Sequence, residues 1–310
     1  MTDSLLAGVK GVVVDMDGVL WVGERPLPGL EAFFALLRER RLPYVLATNN
    51  ASRSPGFYVR KLSRMGVRID ERSVLTSALA AADWLTGELP RGAPVYVVGQ
   101  EGLRHALSAA GFAVVETAVE PAGEQVGVRG GPTADPGPRQ QTDDDPVRAA
   151  LPRATDRIAA VSAVVVGIDF DVTYRVIRDA VLLIRRGALF VGTNGDLTYP
   201  SELGLVPGAG SILAAIEAAS GVEPVIVGKP ERHLYDAALA RLGLPAARTA
   251  MIGDRLDTDI LGGRRAGLKT VLVCTGIDSS ETVERTGIVP DLVVDGLEEL
   301  VRRWRATASG

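Results

Sequence analysis

Short apolar segments alternate with helical patterns along most of the chain, and this alternation restricts the fold more than any other feature. Segments such as 11–16, 44–48 and 163–168 are rich in β-branched residues, which is typical of strands buried on both faces. Further strands are predicted over residues 95–99, 189–192, 225–228, 249–253, 270–274 and 292–294. Because helical patterns separate the strands, the sequence predicts an α/β fold with a parallel sheet.

Helices are predicted where apolar spacing and end signals coincide, over residues 30–40, 55–65, 211–219, 234–242 and 259–266. The second of these has Pro55 at its start and Gly66 just beyond its end, the usual asymmetry of helix termini. Gly243 and Gly267 follow the last two, and glycine at this position favours the end of a helix.

Length, charge and cysteine content narrow the class of protein. A chain of 310 residues, 46% of them hydrophobic, suffices for two domains with a sizeable core. The net charge of −4 gives no basic excess for nucleic acid or an anionic membrane. Cys274 is the single cysteine, no signal-peptide pattern is present, and no apolar run reaches about 18 residues. We therefore expect a soluble, cytoplasmic protein without a nucleic-acid or membrane partner.

Residues 120–157 interrupt the alternation. They contain six of the eighteen prolines, five glycines and no aromatic residue. Such a composition buries too little apolar surface to offset the conformational entropy lost on ordering. We predict a mobile surface insert, and the alternative of a partner-binding segment is less favoured because no docking motif is present.

Charged and polar side chains follow four of the predicted strands. In chain order they are Asp15 and Asp17, then Thr48, Asn49 and Asn50, then Lys229, and then Asp254, Asp257 and Asp259. Because ligands of open α/β sheets bind beyond the carboxyl ends of the strands, we expect these side chains to meet at one edge. Carboxylates one residue apart repel each other, and a Mg²⁺ ion between Asp15, Asp17 and Asp254 would remove that repulsion.

The polar groups beside the carboxylates suit a phosphoryl group. A hydroxyl, loop N–H groups and an ammonium together form a cradle for phosphate oxygens. Phosphoryl transfer depends mostly on positioning and charge neutralisation, and a carboxylate can act as nucleophile through an aspartyl-phosphate. Each motif alone has an ordinary structural interpretation, as a turn, a loop lysine or a helix start. Their common position after four strands, in this order, favours the functional interpretation.

Four motifs resemble the ordered motifs of the haloacid dehalogenase superfamily of phosphohydrolases. They are DMDGVLW, TNNASRS, GKP and GDRLDTDILGGRRAG. The most similar branch has a large α/β cap between the second and third motifs, and includes NagD-like, 4-nitrophenylphosphatase-like, phosphoglycolate phosphatase and pyridoxal phosphate phosphatase enzymes. Three further segments are similar to parts of its cap, namely YVVGQEGLRHALSAAGF, AVVVGIDFDVTY and FVGTNGDLTYP. A fourth is similar to the segment where the chain re-enters the core after the cap, PGAGSILAAIEAASG. The resemblance implies a Rossmann-like parallel-sheet core over 1–77 and 197–310, with an inserted α/β cap domain over 78–196.

The resemblance also implies which residues carry out catalysis and bind the metal. Asp15 would be the nucleophile and a ligand of Mg²⁺. Asp17 would act as general acid and then as general base, with its backbone carbonyl on the metal. Asp254 would be the remaining protein ligand, and Asp259 would ligate through water or steady its neighbours.

The remaining predicted residues would bind substrate. Thr48 and the N–H of Asn49 would hold the phosphoryl oxygens, and Lys229 would neutralise their charge together with that of the nucleophile. Asn50 and Asn194 are predicted to contact the substrate, with a simple turn as the alternative for Asn194.

The expected function is Mg²⁺-dependent hydrolysis of a small phosphate monoester through an aspartyl-phosphate intermediate, under a cap that closes to exclude water. One alternative is another reaction on the same scaffold, such as a mutase or carbon–halogen cleavage. Asp17 argues against dehalogenation, which has no leaving oxygen to protonate. Another alternative is a non-catalytic phosphate-sensing protein. The resemblance also suggests a homodimer, and the sequence does not identify the substrate.

Overall fold

A computed structural model of the chain describes residues 3–115, 161–201 and 203–307. The predicted mobile insert, residues 120–157, lies outside these ranges. The described residues form two parallel sheets and two short antiparallel hairpins, with helices connecting the strands. The α/β prediction is therefore confirmed.

The strands are numbered β1 to β15 in chain order within the described residues. They are Gly11–Val14, Trp21–Val22, Arg25–Pro26, Tyr44–Thr48, Val74–Thr76, Pro94–Val98, Ala113–Val115, Ala163–Val166, Leu189–Gly192, Thr198–Ser201, Gly204–Pro207, Val225–Ile226, Thr249–Gly253, Lys269–Val273 and Leu292–Val294. The helices α1 to α11 of the same ranges are Asp3–Ala7, Leu30–Glu39, Pro55–Arg64, Ser77–Glu88, Glu101–Ala109, Tyr174–Ile184, Ala209–Ser220, Arg232–Leu242, Leu261–Arg265, Ser280–Thr286 and Leu297–Ala306. Turns of 3₁₀ helix occupy Glu71–Ser73 and Ala246–Arg248.

The larger sheet has six strands in the order β15-β14-β13-β1-β4-β5, and its neighbours pair in parallel. Strand β1 lies inside it, with Val14 opposite Ile252 of β13 and Leu46 of β4. Val14 packs into the apolar core on one face, and Val13 packs into the core on the other. Both faces of β1 are thus covered, which explains its unbroken run of valines.

The second parallel sheet has the order β12-β9-β8-β6-β7. Its strands β6 to β9 come from the segment predicted to form the cap, whereas β12 comes from beyond residue 197. Val225 of β12 pairs with Val191 of β9, so this sheet extends across the predicted boundary. The division of the chain into core and cap stays a prediction.

The predicted strand positions agree with the structure to within two residues, but four short elements were missed. These are the edge strands β5 and β7 and the hairpins β2–β3 and β10–β11, whose strands have two to four residues each. The predicted helix over 259–266 begins as a π-helical turn, Leu256–Ile260, and continues as α9. In the described parts of the chain, no helix combines the length and apolar character needed to cross a bilayer.

Candidate active site

Two aspartates stand at the carboxyl ends of neighbouring strands. Asp15 follows β1, and Asp254 follows β13. The N–H of Asp15 donates to the carbonyl of Ile252 at 2.8 Å, which continues the ladder between the two strands. Each of Asp15, Asp254 and Asp259 offers a carboxylate oxygen, and these oxygens all lie within 4.8 Å of one another. All three residues are buried.

Lys229 supplies a positive charge to this cluster. It follows β12, is 3% exposed, and its Nζ atom bonds Oδ1 of Asp15 and, at 2.7 Å, Oδ1 of Asp259. Asp259 is held on its second oxygen as well, because the N–H of Arg255 donates to Oδ2 at 3.1 Å. Two of the three clustered carboxylates pair with this ammonium, so the cluster has an excess of negative charge when all three are ionised.

The pKa values of the cluster reflect this imbalance. Burial raises the pKa of Asp15 well above its ordinary value against the opposing charge of Lys229, and the charges of Asp259 and Asp254 add to the rise. Burial, with the charge of Asp259, raises the pKa of Asp254 to about 7. Burial alone would lower the pKa of Lys229, but Asp15 and Asp259 raise it above its ordinary value. The ammonium therefore stays charged.

The donor set fits a divalent cation. Oδ1 of Asp254 and Oδ2 of Asp15 accept no hydrogen bond within the described part of the chain, whereas their other oxygens are held by the N–H of Ile277 and by Lys229. Carboxylate oxygens are the ligands that Mg²⁺ prefers, and a cation would offset the repulsion that raises these pKa values. Both oxygens of Asp259 are already bonded, so Asp259 fits the role of orienting its neighbours better than that of a direct ligand.

Asn49 fixes the backbone at Lys229. Its Oδ1 accepts from the N–H of Lys229 at 2.8 Å, and its Nδ2 donates to the carbonyl of the same residue at 2.9 Å. The backbone carbonyl of Asn49 in turn accepts from Asn194 Nδ2 at 2.8 Å and from Ser77 Oγ at 2.6 Å. The loop after β4 thus connects the lysine with the second sheet, since Asn194 closely follows β9.

Thr48 and Asn50 shape the loop beside the acidic cluster. Thr48 ends β4 and is buried, and its Oγ1 accepts from the N–H of Asn50 at 3.1 Å. The amide oxygen of Asn50 accepts from the N–H of Ser52 at 2.9 Å and from its Oγ at 2.6 Å. The conformation of the loop is therefore set by its own side chains. Thr48 lies at the end of β4, the strand that pairs in parallel with β1.

Asp17 stands apart from the three clustered aspartates. Its side chain is exposed, and its Oδ1 accepts from the indole N–H of Trp21 at 2.7 Å. Gly18, which follows it, has a φ of +82°, and a Cβ added there would lie 2.4 Å from Oδ2 of Asp254. The turn after β1 therefore requires glycine both for its backbone conformation and for the close approach of Asp254.

Comparison with known proteins identifies the family. Residues 12–113 match a family model described as haloacid dehalogenase-like hydrolase, and residues 226–300 match a second, HAD-hydrolase-like model. A glycerol-3-phosphate phosphatase of Gallus gallus is 39% identical over 313 residues, which cover 96% of this chain and 93% of the relative. The chain belongs to the haloacid dehalogenase-like hydrolases.

Solved structures extend this similarity to the whole fold of this haloacid dehalogenase-like hydrolase. The 4-nitrophenylphosphatase of Thermotoga maritima is 32% identical with a TM-score of 0.78, covering 96% of this chain and 98% of the other. The glycerol phosphate phosphatase of Mycobacterium tuberculosis, solved in complex with calcium, is 31% identical with a TM-score of 0.76 over 96% of this chain and 76% of the other. The predicted branch of the family and the predicted Rossmann-like core are confirmed.

The structure brings most of the predicted site residues of this hydrolase together. Asp15, Asp254, Asp259 and Lys229 form one buried cluster, and Asn49 contacts the lysine directly. The predicted roles of these residues stay predictions.

Asn50 and Asn194 differ from the other predicted residues, because the bonds of their side chains lie within the loops that hold the site. Asn194 donates to Asn49 and accepts from the N–H of Asp196 at 3.1 Å, a pattern that favours the alternative of a structural turn. Substrate contact by these two residues remains a prediction.

Two residues at the site were not predicted from the sequence. Trp21 is buried, and its N–H donates to Asp17. Tyr58, on α3, stacks on the Trp21 ring with centroids 6.4 Å apart. The position of Trp21 four residues after Asp17, within the first motif, was a signal available in the sequence, whereas no motif marks Tyr58.

Proposed function

We propose that this haloacid dehalogenase-like hydrolase is a phosphatase that hydrolyses small phosphate monoesters through an aspartyl-phosphate on Asp15, with Mg²⁺ as its metal. One observation carries the proposal: three buried aspartates and one buried lysine form a single cluster beyond the carboxyl ends of β1 and β13. The similarity to phosphatases over 96% of the chain supports it. A bound Mg²⁺ would neutralise the phosphoryl oxygens and would be held by Asp15, Asp254 and the carbonyl of Asp17.

The reaction would take place in two displacements. A carboxylate oxygen of Asp15 attacks phosphorus, and the bond from phosphorus to the ester oxygen breaks while Asp17 gives that oxygen a proton. Asp17 then takes a proton from water, whose oxygen attacks phosphorus and breaks the bond to Asp15. Inorganic phosphate and the regenerated carboxylate are the products.

The other residues would hold the phosphoryl group in place. Thr48 and the N–H of Asn49 would donate to its oxygens, and Lys229 would offset negative charge on the oxygens and on Asp15. Because Asn49 bonds the Lys229 backbone on both sides, it also keeps the ammonium in position. Asp259 orients that ammonium through its 2.7 Å bond.

The names of the relatives support a choice of substrate to test first. Glycerol 3-phosphate is the first ester to test, because a relative named for this substrate is 39% identical over almost the entire chain. We also propose that residues 78–196 form a cap that closes over the site, and that the chain forms a homodimer and is cytoplasmic.

The function is tested by a screen of glycerol 3-phosphate, sugar phosphates and 4-nitrophenyl phosphate with Mg²⁺. We expect turnover by the wild type and a loss of at least about 10³-fold in Asp15→Asn and Asp17→Asn. Asp257→Asn is the matched control, because Asp257 is an exposed aspartate of the π-helical turn beyond Asp254 and pairs with Arg255 at 2.9 Å. Equal turnover in all variants would reject the mechanism, and phosphate binding without turnover in the wild type would favour a phosphate sensor.

A further inference from the structure

The carboxylate of Asp196 connects two of the loops that build the site. Asp196 lies four residues beyond β9, and its Oδ2 accepts from Nδ2 of Asn49 at 3.2 Å. Its Oδ1 lies 3.8 Å from Nη1 of Arg255, the residue directly after Asp254. One side chain that follows a strand of the second sheet therefore contacts the loop after β4 and the loop after β13 of the larger sheet.

The position of this carboxylate is set by the backbone around it. The N–H of Asp196 donates to Oδ1 of Asn194 at 3.1 Å, and the carbonyl of Asp196 accepts from the N–H of Gly210 at 2.9 Å. Gly208 approaches so closely that a Cβ added there would lie 2.3 Å from the same carbonyl. Because the backbone is held on both its N–H and its carbonyl, the carboxylate is presented to Asn49 from a fixed point.

The bond to Asp196 determines the orientation of the Asn49 amide. Oδ1 of Asn49 accepts from the N–H of Lys229, and Nδ2 donates to the carbonyl of Lys229, at 2.8 and 2.9 Å. The amide nitrogen carries two hydrogens, so the second is available for Asp196. An ionised carboxylate accepts hydrogen bonds and donates none. A reversed amide would therefore place its oxygen against the carboxylate of Asp196 and its nitrogen against the N–H of Lys229.

The segment from Asn194 to Asp196 holds Asn49 at two points. Nδ2 of Asn194 donates to the backbone carbonyl of Asn49 at 2.8 Å, and Asp196 accepts from its side chain. With its backbone and its amide both fixed, Asn49 in turn fixes the backbone of Lys229 on both sides. The Lys229 ammonium, which bonds two aspartates of the cluster, is thus positioned through a chain of hydrogen bonds that begins at Asp196.

We propose that Asp196 is a positioning residue of the phosphatase, which keeps the Lys229 ammonium in place for the phosphoryl group by orienting the amide of Asn49. This inference rests on the proposed function. In this role Asp196 touches neither substrate nor metal and acts only through Asn49. Its neighbour Arg255 offsets part of its negative charge, which would otherwise repel a phosphate ester.

The experiment compares Asp196→Ala with Asp196→Asn in the hydrolysis of 4-nitrophenyl phosphate and glycerol 3-phosphate with Mg²⁺. Alanine removes the acceptor, and the loss of a hydrogen bond to a charged group predicts a fall in kcat of about tenfold with both esters. Asparagine still offers an oxygen to Asn49, so Asp196→Asn should keep kcat within about threefold of the wild type. Asp236→Ala is the matched control, because Asp236 is an exposed aspartate of α8 that pairs with Arg232 at 3.0 Å.

A double-mutant cycle separates the two contacts of Asp196. In an Asn49→Ala background, Asp196→Ala should lower kcat no further, since the residue through which it acts is absent. In an Arg255→Met background the tenfold fall should persist. A full further fall without Asn49 overturns the proposal, as does a fall that disappears without Arg255. A fall with one ester only also overturns it, because it would mean that Asp196 contacts the leaving group.

Thermal unfolding distinguishes positioning from a role in folding alone. All kcat values are compared at a temperature where each variant is folded, and a lower Tm with a wild-type kcat in Asp196→Ala would overturn the proposal. If alanine prevents folding, Asp196→Leu removes the acceptor while filling the space, and the same cycle applies. If the wild type hydrolyses no ester, the proposed function fails; if it does and Asp196→Ala equals it, only this inference fails.

Discussion

The metal-free protein should become more stable when Asp254 is replaced by asparagine. Burial and the charge of Asp259 raise the pKa of Asp254 from 3.8 to about 7 in the folded state. Between these values the folded protein holds a proton that the unfolded chain has lost, so the free energy of unfolding falls as pH rises from about 4 to about 7. The full difference corresponds to about 4 kcal/mol. Asparagine carries no charge and can still accept from the N–H of Ile277, so the variant avoids this loss.

Thermal unfolding in a chelator and in Mg²⁺, from pH 5 to pH 8, measures the effect. Without metal at pH 8 we expect Asp254→Asn to melt above the wild type by on the order of 10 °C. With Mg²⁺ the order should reverse, because the metal replaces the proton only in the wild type, and the Mg²⁺-induced rise in wild-type Tm should grow with pH up to about pH 7. Asp257→Asn is the control and should follow the wild type. A metal-free Asp254→Asn that melts below the wild type at pH 8 would refute the reasoning.

Three further changes address the groups around the cluster. Lys229→Met leaves the charges of Asp15 and Asp259 unpaired, so the free energy of unfolding should fall by about 3–5 kcal/mol and turnover should vanish. Thermal unfolding and hydrolysis of 4-nitrophenyl phosphate measure the two effects, and retained activity would contradict the proposed role of Lys229. Trp21→Phe removes the N–H that donates to Asp17, so kcat should fall about tenfold while the inhibition constant of phosphate stays unchanged. An unchanged kcat would mean that Trp21 does not contribute to catalysis. Asn49→Ala removes both hydrogen bonds to the Lys229 backbone, so the free energy of unfolding measured by chemical denaturation should fall by about 2 kcal/mol, and kcat should also fall. A loss of stability with an unchanged kcat would mean that Asn49 has only a structural role.

The acidic cluster could be predicted from the sequence because it depends mainly on strand order. Parallel strands end at the same edge of a sheet, and β1 and β13 are neighbours there. The residue that follows each strand therefore lies beside its counterpart without any adjustment of side-chain packing. This places Asp15 next to Asp254 once the two strands are recognised, and their apolar runs make them easy to recognise.

Contacts between separate elements could not be predicted in the same way. The stacking of Tyr58 on Trp21 depends on how helix α3 rotates against the turn after β1, and helical periodicity predicts only that Tyr58 faces inward. The pairing of Val225 with Val191 joins segments separated by a helix, and strand patterns do not specify partners. The bonds that engage the Asn194 amide depend on the conformation of the turn, which decides whether its side chain faces a ligand or the backbone.

The cluster is also the place where this chain departs most from the rules that stabilise the rest of the fold. Elsewhere in the described residues the buried interior is mainly apolar, whereas here three buried carboxylates lie together with one ammonium. Buried like charges destabilise the folded state, and the raised pKa values of Asp15 and Asp254 express that cost. Proteins are expected to place residues that destabilise the fold where function requires them. Because a cation would remove the repulsion between the carboxylates, we expect metal binding and folding to be coupled, with the metal-free enzyme the less stable form at neutral pH.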